Sequence, residues 1–119
     1  MRRVMLVDDQ AEYLEWVNAL LSADPSFRVE AVAHSGPEAL TLADRKLLEL
    51  AVVDVAMPGM NGFDTVRRLL ARHPDLLIVL TSSQDEPAYH QLSELLGVHF
   101  LAKSTLSPQA LRALFPDPE

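Results

Sequence analysis

Two short runs constrain this chain more than anything else in it: Leu50-Ala51-Val52-Val53-Asp54 and Leu76-Leu77-Ile78-Val79-Leu80-Thr81. Neither alternates apolar with polar residues. A strand that is apolar on both sides needs cover on both faces, and a parallel sheet enclosed by helices provides it. Three more strand-like runs accompany them: Arg3–Val7, the alternating Phe27–His34, and Val98–Ala102. Between the runs, apolar residues recur at helical spacing. Leu14, Val17, Leu20 and Leu21 mark a helix over Gln10–Ser22, and Phe63, Val66, Leu69 and Leu70 mark another that ends before Pro74. Ser35 and Glu38 have the spacing of a capping box for a helix reaching about Leu47. Ser83 and Glu86 repeat that spacing ahead of a helix that runs to Gly97, with Pro87 in its first turn. Ser107-Pro108 opens the last helix.

Strands alternating with helices imply an α/β domain with right-handed crossovers. Five of each suit the flavodoxin-like (βα)5 arrangement, a parallel five-stranded sheet in order 2-1-3-4-5 with helices on both faces. The run Leu76–Thr81 is the most apolar and is expected at the sheet centre. A length of 119 residues fits one domain over residues 1–119, its tail from about residue 116 reading as a terminus or the start of a linker. The net charge of −7 would repel phosphate backbones, so direct nucleic-acid binding is not expected. There is no cysteine, which excludes disulfides, thiolate metal sites and cysteine nucleophiles. No apolar run approaches the roughly 20 residues of a membrane span. The opening apolar run meets Asp8-Asp9 at once and is not a secretory signal; a cytoplasmic location is expected.

In sheets of this kind ligands bind beyond the carboxyl ends of the strands. Four of the five runs end there in polar groups: Asp8-Asp9, Asp54, Thr81-Ser82 and Lys103-Ser104. Each has a plainer explanation taken alone. Asp8 or Asp9 could cap the first helix, Asp54 could start an Asx-turn, Thr81 could be an ordinary β-branched strand residue, and Lys103 a solvated charge. Together they make a cluster. Three close carboxylates repel one another unless a cation neutralises them, and an all-oxygen set without His or Cys suits a hard ion such as Mg²⁺, with Mn²⁺ as a substitute. Lys103 and Thr81 suit anionic oxygens. A carboxylate in such surroundings can attack phosphorus and form an aspartyl-phosphate. The four histidines, His34, His73, His90 and His99, show no metal spacing and read as surface or strand-end residues.

The motifs MLVDDQ, VVDVAMPGMNGFD, IVLTSS and FLAKS, in that order and over essentially the whole chain, resemble the receiver domain of two-component response regulators. The resemblance implies that Asp54 is the phosphoacceptor, that Asp9 ligates Mg²⁺ directly with Asp8 assisting through water, and that Ala56 offers its backbone carbonyl to the metal. It implies that Thr81 and Lys103 bind phosphoryl oxygens. Thr81 and Phe100 would be the switch that reshapes the surface of the fourth helix, fifth strand and fifth helix. The implied partners are a histidine kinase or phosphotransfer protein and an output domain or downstream protein; a phosphorylation-dependent homodimer through the fourth-helix face is compatible with the same surface. Met57 and Met60 are expected to pack, and Gly59 and Gly62 to permit the turn after Asp54.

Two positions depart from the family pattern. Ser104 follows Lys103 where proline is usual, and the run from Gly97 to Lys103 is one residue shorter than usual. Ala56 and Ser83, two residues beyond Asp54 and Thr81, are both small, which would leave water access to an acyl phosphate. Two rival functions differ in kind. A Mg-dependent phosphohydrolase of the haloacid-dehalogenase type would want a second acid where Ala56 stands. A non-phosphorylated receiver scaffold would not need the full acid, threonine and lysine set.

Overall fold

A computed structural model of the protein describes residues 1–116; the predicted terminus or linker beyond that lies outside the described residues. The chain alternates β1 (Arg2–Val7), α1 (Ala11–Ser22), β2 (Phe27–Ala33), α2 (Gly36–Arg45), β3 (Leu50–Asp54), α3 (Gly62–Arg72), β4 (Leu77–Ser82), α4 (Pro87–Leu96), β5 (His99–Ala102) and α5 (Pro108–Leu114), with a 3-10 turn over Lys103–Thr105. All neighbouring strands are parallel and the order is β2-β1-β3-β4-β5, as expected for a flavodoxin-like fold. β3, every residue of it buried, holds the middle of the sheet. β4, expected there, is interior but one place off centre, and its first residue is only half-buried.

The period of two along each strand sends residues to opposite layers. Met5, Val7, Ala51, Val53, Ile78 and Leu80 pack with Leu40, Val66 and Leu69 of α2 and α3. Val4, Leu6, Leu50, Val52 and Val79 pack with Leu14, Val17 and Leu21 of α1 and with Leu111 of α5. These apolar layers are the main source of stability. β2 departs from the simple alternation read in its sequence. Val4 pairs with Val29 but Met5 with Ala31, so Glu30 is an extra residue. This bulge keeps Phe27 and Val29 on the α1 side and turns Ala31 and Ala33 to the other layer.

Three helices start on side-chain caps, two of them at the serines that the sequence marks as helix starts. Ser35 Oγ accepts from the Glu38 N–H (3.2 Å), Asn61 Oδ1 from the Asp64 N–H (2.9 Å) and Ser107 Oγ from the Ala110 N–H (3.0 Å). The Ser83–Glu86 capping box does not form. α4 begins at Pro87 with Glu86 as its N-cap, at φ −99° and ψ 138°. A cap at Ser83 would need Glu86 helical, and the proline ring that follows disfavours that conformation. Among the described residues no helix is long and apolar enough to cross a membrane.

Candidate functional site

Strand parity assembles the site. Asp8 continues the Val4, Leu6 side of β1, Asp54 the Leu50, Val52 side of β3, and Thr81 the Val79 side of β4; all three therefore face the α1 and α5 layer. Register brings them level, with Asp54 opposite Thr81 and Thr81 opposite Leu101. Lys103 follows two residues after Leu101, in the 3-10 turn. Asp8, Asp54 and Thr81 are buried, at 2%, 4% and 1% exposure, whereas Asp9 is exposed. Ser82 is buried, its hydroxyl accepting from the Gln84 N–H, while Ser104 is exposed. Among the described residues the peptide bonds are all trans, including Lys103–Ser104.

One oxygen from each of Asp8, Asp9 and Asp54 lies within 4.8 Å of the others. The Lys103 Nζ sits against them, 2.6 Å from Asp8 Oδ2 and 3.7 Å from Asp54 Oδ1. Burial is the main force raising the Asp54 pKa, from 3.8 to about 6; the Asp8 charge adds to it, and Lys103 and the Ala56 N–H oppose it. Asp8 Oδ1 accepts from the Gln10 N–H at 2.9 Å. Its buried Oδ2 receives no hydrogen bond and meets only the lysine charge. Three carboxylates crowded together, with a single lysine to offset them, fit a hard divalent cation with oxygen ligands.

The loop after β3 shapes the rim. Gly59 takes φ 76°, a conformation that residues with a Cβ rarely adopt. Met57 is buried and Met60 packs at the edge of the same core, as packing residues should. Ala56 is exposed. Phe100 lies on the opposite face of the sheet from Thr81, with its ring centroid 5.9 Å from Tyr89 and 4.6 Å from His90. The histidines fall where expected, away from the acidic cluster: His34 faces Glu38, His73 faces Asp44, His90 faces Asp85, and His99 meets Phe115.

Sequence reasoning assigned no role to two residues of the site. Gln10 Oε1 lies 3.5 Å from Lys103 Nζ, and the Tyr13 ring lies under that ammonium, 4.3 Å from its centroid. The Tyr13 hydroxyl is buried without a hydrogen-bond partner; burial, then the Asp8 and Asp54 charges, push its pKa up and hold it neutral. Its place on the first turn of the helix that follows directly on Asp8-Asp9 was the one sequence signal that could have drawn Tyr13 to the site.

The sequence matches the response regulator receiver domain over residues 4–115. The fold superimposes on the signal receiver domain of the response regulator NarL from Mycobacterium tuberculosis with a TM-score of 0.85, at 30% identity, over 95% of this chain and 92% of that one. It superimposes on chemotaxis protein CheY4 of Vibrio cholerae with a TM-score of 0.83, at 27% identity and 96% coverage of both. A protein-glutamate methylesterase/protein-glutamine glutaminase of Geobacillus kaustophilus is 32% identical over 103 residues, 85% of this chain but 30% of that protein. The transcriptional regulatory protein DegU of Brevibacillus brevis is 29% identical over 73% of this chain and 37% of its own length. The chain thus spans about a third of these curated relatives. A family match across nearly every described residue, on a fold that gathers the acids, threonine and lysine at one rim, makes this chain a member of the response regulator receiver domain family.

Proposed function

We propose that the protein is a phosphoryl-accepting signalling module in which Asp54 is the acceptor. The observation that carries this reading is the gathering of the buried Asp54 carboxylate with the Asp8 and Asp9 acids and the Lys103 ammonium. An Asp54 oxygen attacks phosphorus, the bond from phosphorus to the donor breaks, and the donor leaves with its electron pair. The donor is a phosphohistidine of a kinase or phosphotransfer protein, or a small acyl phosphate. Asp8, Asp9 and Asp54, with the Ala56 carbonyl, would hold Mg²⁺ or Mn²⁺. When bound, the cation supplies positive charge that offsets carboxylate repulsion and the charge of the transferring group. Lys103 and the Thr81 hydroxyl take phosphoryl oxygens.

Thr81 and Phe100 couple the site to the α4-β5-α5 surface. Supporting this, Leu80 and Thr81 pair with Phe100 and Leu101 across adjacent strands, and the Phe100 ring touches Tyr89 and His90 of α4. A movement of Thr81 toward a phosphoryl group would therefore be felt on the far face of the sheet. Through that face the domain would control an output domain or partner protein, by a change of affinity and not by turnover of a metabolite. It would bind no nucleic acid itself and would work in the cytoplasm.

Incubation with Mg²⁺ and acetyl phosphate, followed by intact mass, tests the reading. One phosphoryl group per chain, lost when the metal is chelated beforehand, is the expected result. Sustained hydrolysis of an added phosphoester would point instead to a phosphohydrolase, and no adduct at all would point to a scaffold. A related expectation concerns the cation alone. Asp9→Asn weakens Mg²⁺ binding by about tenfold or more, since even outer-shell partners of a metal are worth that much. Fluorescence of Trp16, the sole tryptophan, reads it; Trp16 lies on α1, with its ring 6.0 Å from Tyr13.

A further inference from the structure

We propose that Tyr13 is a positioning residue for Lys103, its aromatic face holding the ammonium in the site while the lysine changes ionic partner. The role rests on the receiver reading given above. Lys103 belongs to a 3-10 turn of three residues at the end of an edge strand, a less rigid mount than a helix. Its side chain is nonetheless only 10% exposed. Four groups surround the ammonium: Asp8 Oδ2 at 2.6 Å, Gln10 Oε1 at 3.5 Å, Asp54 Oδ1 at 3.7 Å and the Tyr13 ring centroid at 4.3 Å.

The tightest of these contacts is the one that cannot persist. Asp8 belongs to the acid cluster suited to a cation, and a cation bound there competes with the lysine for the Asp8 carboxylate. The Asp54 oxygen is likewise spent once it carries a phosphoryl group. Gln10 is an exposed side chain at the outer limit of hydrogen-bond distance. The ring face of Tyr13 alone is untouched by either event. Its attraction for a cation comes from the ring quadrupole and strengthens where water is excluded. Tyr13 is also well anchored, on the first turn of α1 against the core of Val4, Leu6, Leu14 and Val17. Its contact with Lys103 runs through the ring face, with the ammonium 4.3 Å from the ring centroid. Lysine thereby stays at the rim, free to move from Asp8 toward an incoming phosphoryl oxygen.

One spectrum and one rate, compared across five proteins, test this. In the metal-free protein, the Lys103 ε-methylene protons lie upfield of solvated lysine because of the ring current. The shift is kept in Tyr13→Phe and lost in Tyr13→Leu. Phosphorylation by acetyl phosphate is about threefold to tenfold slower in Y13L, the range of a partly desolvated cation–π contact, and phenylalanine restores it. In a Lys103→Met background, Y13L adds no further loss, which a merely structural role of Tyr13 would not produce. Solvent-like Lys103 signals, Y13F as slow as Y13L, or an undiminished Y13L effect in the K103M background would each overturn the proposal. Wild-type protein that accepts no phosphoryl group overturns the receiver reading and with it this role, whereas the spectrum, taken without a phosphodonor, reports on the contact independently.

Discussion

Asp54→Asn should bring phosphoryl uptake to background while making the metal-free protein more stable at neutral pH. The two effects have one cause. Asp54 is buried beside Asp8, and its folded-state pKa is raised to about 6 from 3.8. A carboxyl group raised on folding binds its proton more tightly in the folded state, so stability is fully present below about pH 4 and is lost as pH rises through about 6. Ionised Asp54 therefore costs about 2–3 kcal/mol at pH 7.5, and asparagine removes that cost along with the nucleophile. Urea unfolding of both proteins at pH 7.5 and pH 4, without divalent cations, checks it: a gain for D54N at pH 7.5 that vanishes at pH 4. Equal stability at both values would mean that Asp54 is not strained by its surroundings. On the proposed function, the site trades stability for an acceptor held ready, a trade that a bound cation would relieve.

Gly62→Ala should be the most damaging conservative change in the chain. Gly62 opens α3, and a Cβ there would lie 2.2 Å from the Asp54 carbonyl oxygen and 2.7 Å from the Val55 Cα. Two terms compete. Alanine favours a helix by about 1 kcal/mol over glycine. The clash is with backbone at the end of a strand, which cannot swing aside, and overpacking costs about 1–3 kcal/mol, with a backbone clash this close at the upper end. The clash wins. Because the atoms displaced belong to Asp54 and Val55, uptake of phosphate should fall together with stability. Gly36→Ala is the milder comparison, since its Cβ would meet the side chains of Thr65 and Met60. A denaturation midpoint for G62A as high as that of the wild-type protein would show that the α3 start can move away from β3.

The parts of this fold legible in the sequence are those set by local pattern. Leu50–Asp54 and Leu76–Thr81 read as buried strands because their apolar residues fall on both sides, and the polar residues at their ends fell at one rim by strand parity. Ser35 and Ser107 capped as read, since a cap is a contact across three residues. Ser83 misled because the same spacing was overruled by the backbone restriction that Pro87 places on Glu86. The Glu30 bulge was hidden because it depends on pairing with β1, more than 20 residues away. Tyr13 was invisible for the same reason: its partner, Lys103, is distant in sequence and comes near only through the whole strand order. β4 is the more apolar run, yet β3 takes the centre; both are interior strands with neighbours on either side, so hydrophobicity alone does not rank them.

The most direct measurement locates the phosphoryl group on the chain. An aspartyl-phosphate is an acyl phosphate, so borohydride reduction converts that aspartate to homoserine and marks it permanently. After incubation with Mg²⁺ and acetyl phosphate, reduction and peptide mass analysis should find homoserine at position 54, and should find none when the metal is chelated first. Homoserine at position 8 or 9, or a phosphoryl group that survives reduction on a serine or threonine, would contradict the assignment of Asp54 as the acceptor.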